Sequence, residues 1–494
     1  MKKATSDSPQ ITILGLGPGD PDLLTCQAWD VLAKADEIYL RTRQHPTVSG
    51  FPSHLKVYAY DDLYENESSF SAVYQEIVNR ILDLGQRPAG VIYAVPGDPY
   101  VAEATTPEIA RRAQSLNLSL RIVPGVSFLE PSFGALGVDP LPHTAIVDAL
   151  ELDEAHHPPF PPDIPALIAQ LYSSQVASHV KLTLMAVYPD EHPVRLVHGA
   201  GTSAQTVEDL PLYQIDRSPH IGLLTSLYVS PLGPGTSFEA FQEIIAHLRA
   251  PEGCPWDREQ DHQSLRTNLL EETYEVLSAI DADDPDAMRE EFGDLLLQIV
   301  LHAQIGAEYG EFTMAQVLRG IHHKIVHRHP HVFGEMDLAE SGDVIQNWER
   351  IKASERKENG EKKGILDGVP VTLPALAQSF TYQRRVARVG FDWMEIDGVV
   401  SKLHEELEEL QESSTLNSRQ AELGDLLFSV VNLARWYDID AESALRESNL
   451  RFKDRFSYIE EKARAQGREL DSYTLEELDA FWEEAKGGGV DGAS

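Results

Sequence analysis

From residue 11 onward the chain alternates short apolar runs with amphipathic stretches. ITILGLGPGD (11–20) reads as a strand closing on a glycine turn, and LLTCQAWDVLAKAD (23–36) spaces its apolar residues three and four apart, as a helix does. VIYAVPGDP (91–99), the helical TTPEIARRAQSL (105–116) and the strand LRIVPGV (120–126) continue the alternation, which predicts an α/β architecture. Proline-rich HHPPFPPDIP (156–165) predicts a loop. VKLTLMAV (180–187) and HIGLLTSLYV (220–229) are expected as strands of a second α/β lobe, so that a two-lobed first domain spans 1–230. SPLGPGTS (230–237) then punctuates the chain, with 231–237 read as a linker.

From residue 238 the pattern turns helical. Polar ENGEKKGILDGVPVTLP (358–374) would break any helix and splits this half in two. The expected all-α repeats are 238–356 and 375–494, joined by a linker over 357–374, and internal self-similarity supports them. LLEETYEVL (269–277) and EEFGDLLL (290–297) are answered by HEELEEL (404–410) and ELGDLLF (422–428). Lys324 and Arg328, followed by Trp348 and Lys352, are answered by Arg451 and Arg455, followed by Trp482 and Lys486. Both copies thus run acidic helix, acidic helix, basic pair, then Trp with Lys.

Residues three and four apart share a helical face. Glu271, Glu272 and Glu275 therefore project together, as do Glu291 and Asp294 on the next helix. Leu269, Leu270, Tyr274, Val276 and Leu277 surround the first group, and Phe292, Leu295, Leu296 and Leu297 the second. Carboxylates packed among such neighbours need a compensating cation. Two helices meeting at these faces would form a box of hard oxygen ligands, of the kind Mg²⁺ takes. A solvated acidic face is the competing reading in a chain with 79 acids. Gly293 and Gly424 weigh towards metal, because glycine inside a helix costs ~1 kcal/mol relative to alanine and close helix approach would explain it. Each basic pair places two cations on one face, suited to phosphate oxygens, with ordinary surface pairing as the alternative. His323 and His327 have zinc-like spacing, but no third ligand is suitably placed and the second copy has no histidines there.

Charge narrows the partners. The formal net charge is −38, and the excess is heavier over 238–494 than over 1–237. Such a field repels phosphate backbones and argues against a nucleic acid polymer. A small polyphosphate arriving with divalent cations is compatible, because the metal supplies the missing positive charge. No run reaches the 18 apolar residues of a membrane span. Cys26 and Cys254 make no disulfide framework and MKKATSDSPQ lacks an apolar stretch, so a cytoplasmic location is expected.

EExxE followed by ExxD resembles the metal signature of all-α nucleoside triphosphate pyrophosphohydrolases. CPWDREQ (254–260), RHPHVFGE (328–335), NWERIK (347–352), VGFDW (389–393) and GDLLFSVVNLAR (424–435) resemble the MazG family in particular, over about 250–486. The resemblance implies Mg²⁺-dependent hydrolysis of a nucleoside triphosphate to monophosphate and pyrophosphate on a homodimeric helical scaffold. It makes Glu272, Glu275, Glu291 and Asp294, then Glu406, Glu409, Glu422 and Asp425, metal ligands. Glu271 and Glu405 would orient water or complete a second ion site, and the Arg, Lys and Trp residues of both copies would contact nucleotide and phosphate. Copy two has Arg451 where related sequences often have Lys.

GLGPGDPDLLT (15–25), YLRTRQHP (39–46), PGDPYVAE (96–103) and VPGVSFLE (123–130) resemble the tetrapyrrole (corrin/porphyrin) methylases. Such domains hold S-adenosylmethionine between two α/β lobes on glycine-rich turns, which implies cofactor contacts at Gly15, Gly17, Pro18, Gly19, Gly97, Asp98 and Pro99. The glycine-rich continuation after PGDP in porphyrin methylases is replaced here by VAEATTP. The first domain is therefore read as a methyltransferase or as a ligand sensor regulating the hydrolase.

Overall fold

The computed structural model describes residues 10–66, 69–336, 341–358 and 364–487. The chain divides into two compact units, residues 1–317 and 318–494.

The first unit carries two five-stranded sheets. In one, β1 (Ile11–Gly15), β2 (Glu37–Leu40), β3 (Lys56–Ala59), β4 (Val91–Val95) and β5 (Leu120–Val123) lie in the order β3-β2-β4-β1-β5 with every pair parallel. Parallel strands take crossover helices on both faces, so both faces must be apolar. All five residues of β1 are buried. Ile11 and Ile13 pack with Ile77 and Ile81 of helix Phe70–Gly85, while Leu14 packs with Leu32 of helix Cys26–Lys34. The carboxyl ends of parallel strands share one edge of the sheet, where ligands bind in open α/β folds. The loops after β1 and β4 leave that edge side by side.

The second sheet contains β6 (Ala145–Asp148), β7 (Ala166–Ala169), β8 (Pro193–His198), β9 (Thr206–Pro211) and β10 (Thr225–Val229), in the order β6-β7-β10-β8-β9. Only β6 and β7 pair in parallel. The strand expected over 180–187 is instead part of helix Ser174–Met185. The Ser173 hydroxyl caps it by accepting from the Val176 N–H at 3.2 Å. Val176, Val180 and Leu184, four apart, are buried with Ile168, Leu196 and Leu227 of the sheet, whereas Leu182 is exposed. Val180, Leu182 and Leu184 mimic strand alternation within a short window. The cap and Val176 lie upstream of that window and decide the period.

Beyond β10, residues 230–237 form neither strand nor helix, and the regular structure of the remaining described residues is all helical. In the first unit, helices Phe238–Arg249 and Pro285–Glu308 share a core of Ile245, Val300, Leu301 and Ile305. In the second unit follow Ser341–Glu358, Ala375–Ala387, Ile396–Glu412, Leu416–Trp436, Ala441–Ala465 and Leu475–Gly487. Of the expected break over 357–374, residues 364–374 contain no helix and 359–363 lie outside the described residues.

Candidate functional site

Each acidic motif sits on a pair of helices joined by a tight, capped turn. In the first copy, helix Arg266–Asp281 is followed by helix Pro285–Glu308, whose first N–H groups are met by Asp284: its Oδ1 accepts from Asp286 at 3.0 Å and Ala287 at 3.1 Å. One carboxylate oxygen each from Glu272, Glu275 and Glu291 come within 4.8 Å of one another. In the second copy, helix Ile396–Glu412 leads into Leu416–Trp436 through a Thr415–Ser418 capping box, and Glu406, Glu409 and Glu422 converge to the same limit. The repeat in sequence is thus a repeat in geometry. Asp294 and Asp425 fall outside these trios, as do Glu271 and Glu405.

The clustered acids disturb one another. Partial removal from water, then Asp294 and Glu275, raises Glu272 above the usual carboxylate range. Loss of water followed by Glu275 and Asp294 does the same to Glu291, and loss of water followed by Glu406 raises Glu409. A divalent cation would relieve this repulsion. Around Mg²⁺ with bonds of about 2.1 Å, neighbouring ligand oxygens stand about 3 Å apart and opposite ones about 4.2 Å apart. Three carboxylate oxygens gathered within 4.8 Å are the hard donors such an ion takes.

The apolar surroundings differ from expectation. Val276 is buried, but Leu270 is 56% and Phe292 50% exposed, and Tyr274 and Leu296 also face outward. Leu423, Leu427 and Phe428 repeat this exposure in the second copy. Close helix approach does not explain the glycines either, because a Cβ added at Gly293 or Gly424 meets nothing within 4 Å. These apolar residues beside the acids therefore face outward and do not enclose the carboxylates, although Glu406 itself is buried.

The two trios differ in one respect that the motifs did not reveal. Lys402 Nζ lies 2.7 Å from both Glu405 and Glu406, and these carboxylates raise its pKa. Glu406 is buried, so the acid most removed from water has a built-in counter-ion. The first copy has Asn268 at the matching position. The signal was present in the sequence, as a Lys three and four residues before two acids.

Some of the basic residues gather on the tryptophans and others do not. The Lys352 ammonium lies 4.6 Å and the Arg328 guanidinium 5.5 Å from the Trp348 ring centroid. Arg328 also binds Glu355 at 2.7 Å and holds that carboxyl below its usual range. Arg455 lies 5.6 Å over Trp482, whose ring meets Phe452 at 5.3 Å. Both tryptophans are partly buried. Lys486 turns to Glu483 at 2.6 Å and Arg451 to Glu447 at 3.5 Å, while Lys324 is felt through its field at Glu355.

In the first domain the loops after β1, β4 and β5 meet. Gly97 N–H donates to Gly17 O at 2.8 Å and Gly17 N–H to Gly97 O at 3.2 Å. A Cβ on Gly15 would stand 2.6 Å from Gly125 N and 2.7 Å from Gly97 O, so no side chain fits there. Asp98 Oδ2 accepts from Gly125 N–H at 3.2 Å. Gly15 and Asp98 therefore hold loops together, and Gly17 supplies a left-handed turn with φ of 72°. Gly19 faces Thr202 and Pro46. Of the expected cofactor residues, Pro18 and Gly97 line a cavity of about 1190 Å³, and Gly15, Gly17, Gly19, Asp98 and Pro99 do not.

Comparison with known proteins accords with both halves. The family model of tetrapyrrole (corrin/porphyrin) methylases matches residues 10–216, and that of the MazG nucleotide pyrophosphohydrolase domain matches 260–333. YabN of Bacillus subtilis is 42% identical over 491 residues, covering 97% of this chain and 98% of its own. The nucleoside triphosphate pyrophosphohydrolase/pyrophosphatase MazG of Thermotoga maritima is 45% identical over 255 residues, covering 51% of this chain and 97% of its own. A solved uroporphyrin-III C-methyl transferase from Thermus thermophilus, complexed with S-adenosyl homocysteine, is 18% identical, with a TM-score of 0.33 over 44% of this chain and 96% of its own. The chain is an enzyme of the MazG nucleotide pyrophosphohydrolase family and carries a tetrapyrrole methylase-like domain ahead of its helical half.

Proposed function

We propose that the helical half hydrolyses nucleoside triphosphates to nucleoside monophosphate and pyrophosphate, using Mg²⁺ held by the two acidic trios. The convergence of Glu272, Glu275 and Glu291, repeated by Glu406, Glu409 and Glu422, carries this reading. Bound there, the ion supplies Lewis-acid polarisation of the phosphate and lowers the pKa of water. The chain's own residues do the rest. Asp294 and Asp425 complete the acidic faces, Glu271 and Glu405 orient the attacking water, and Trp348 and Trp482 offer ring faces to a base. Lys324, Arg328, Lys352, Arg451, Arg455 and Lys486 offset charge on the leaving pyrophosphate. Water adds at the α-phosphorus, the α–β bridging oxygen leaves with pyrophosphate, and one proton is released. GTP or dUTP incubated with the protein and Mg²⁺ should yield monophosphate and pyrophosphate in equal amounts; orthophosphate as the sole released phosphate would refute the cleavage position.

The working form is read as a cytoplasmic homodimer, because a second copy would cover the exposed Leu270, Phe292, Leu423 and Phe428 beside the acids. Sedimentation at micromolar concentration tests this, and a monomer with full activity would refute it. The first domain is read as binding S-adenosylmethionine where Pro18 and Gly97 line its cavity. Calorimetry with S-adenosyl homocysteine tests that, and absence of heat at millimolar ligand would refute it.

A further inference from the structure

Beyond Pro18 and Gly97, the cavity of the first domain is walled by aromatic side chains. Phe70 meets Tyr64 at 6.2 Å, Tyr74 at 6.3 Å and Tyr172 at 6.4 Å between ring centroids, and all four residues line the cavity. Phe70 itself is 49% exposed. Rings clustered around an open face form a stacking surface for a flat ligand.

Charge then sorts which flat ligand fits. Among the described lining residues Arg41 is the sole Lys or Arg. Its guanidinium is already met: Nη1 donates to Glu103 Oε2 at 2.6 Å and Nε to the Tyr64 hydroxyl at 3.1 Å. The Glu103 side chain is only 1% exposed, so this ion pair is a fixed part of the wall. Asp61 and Glu208 line the same cavity. Asp61 accepts from the Thr42 hydroxyl and the backbone Arg43 N–H, and Glu208 from the Ser218 hydroxyl, with His198 Nε2 at 3.4 Å from Glu208 as its only other described partner, an imidazole that burial keeps towards the neutral form. Two histidines of the wall add little positive charge, since burial lowers His198 and pushes His45 down to about 4.

A ligand of net negative charge brought into this space loses water, finds its one cation neutralised and faces two acids. An uncharged or cationic ring meets no such penalty and gains the aromatic contacts. We infer that this cavity selects a flat aromatic molecule carrying no net negative charge, stacked against Phe70, in place of a carboxylate-rich macrocycle. The inference concerns the first domain alone and stands apart from the hydrolase reading.

The test uses the full-length protein, titrated with proflavine, a planar cation, by fluorescence polarisation and with uroporphyrin, a carboxylate-rich macrocycle, by its visible absorption. Salt at about 0.15 M screens non-specific attraction of the dye to an acidic chain. Proflavine should bind at least about tenfold more tightly than uroporphyrin, and Phe70→Ala should weaken it about tenfold. Glu103→Gln, which releases the charge of Arg41, should shift the preference towards uroporphyrin by about tenfold. Because Glu103 is buried and its substitution can unfold the lobe, the half-exposed Phe70 is the deciding variant. Tighter uroporphyrin binding by the unmodified protein, no dye binding, or dye affinity unchanged in Phe70→Ala would each overturn the inference.

Discussion

Withdrawing Mg²⁺ should lower the stability of the two units separately, because one acidic trio lies in each. An ion present at a hundredfold excess over its Kd stabilises the folded state by about 2.7 kcal/mol. For a unit the size of 318–494, in which each kcal/mol moves Tm by about 2–4 °C, the expected shift is roughly 5–11 °C. The pH dependence follows from the raised carboxyls. Glu272, Glu291 and Glu409 keep their protons in the folded state over a window that starts at the ordinary value of 4.5 and extends above it. The unfolded chain has released those protons, so metal-free stability falls as pH rises through that window. Metal binding needs the ionised form and strengthens over the same window. The gap between metal-bound and metal-free melting therefore opens as pH rises. Glu409→Gln should remove repulsion, raising the melting temperature of the second unit in EDTA while abolishing its response to Mg²⁺. Glu275→Gln should do the same in the first unit. Scanning calorimetry in EDTA and in MgCl₂, with NaCl at matched ionic strength as control, measures both. If NaCl reproduces the whole shift, or the two substitutions leave it intact, the acids are only a screened acidic face.

Other consequences are as direct. Lys402→Ala should destabilise the metal-free second unit by about 1 kcal/mol, at the surface end of the range because the Lys402 side chain is 36% exposed, and should enlarge its Mg²⁺ response; an unchanged melt in EDTA would count against the counter-ion role. Gly15→Ala should cost about 3 kcal/mol or more in urea unfolding, since the new methyl meets the backbone of Gly125 and Gly97 below 3 Å; an unmoved midpoint would mean the loops part easily. His45, buried and depressed from 6.5 to about 4, contributes about 3 kcal/mol of stability that is present above 6.5 and lost as pH falls towards 4. His45→Gln should flatten that part of the stability profile relative to the unmodified protein, and an identical slope would refute the assignment.

Local signals carried much of the architecture. Strand β1 was legible because five apolar residues end on glycines that a turn requires, and helix Cys26–Lys34 because its apolar residues keep helical spacing up to its Thr25 cap. Helix Ser174–Met185 was misread because three alternating apolar residues satisfy either period when the window excludes the cap. The acidic faces were legible because helical spacing alone puts Glu272 and Glu275, or Glu406 and Glu409, on one side.

What sequence alone determined were the properties set within one or two turns of chain: the α/β front, the helical repeat, the acids sharing a face and the excess negative charge. Tertiary structure decided which of these meet. Glu291 reaches Glu272 and Glu275 only through the helix turn, Arg328 finds Trp348 on helix Ser341–Glu358, and Gly15 excludes any side chain because Gly125, far along the chain, lies against it. It also decided that Leu270, Phe292, Leu423 and Phe428 face outward beside the acids and that Arg41 is neutralised by Glu103. Periodicity records the direction in which a side chain leaves its own element; the partner it meets depends on how distant elements pack, and no local spacing carries that information.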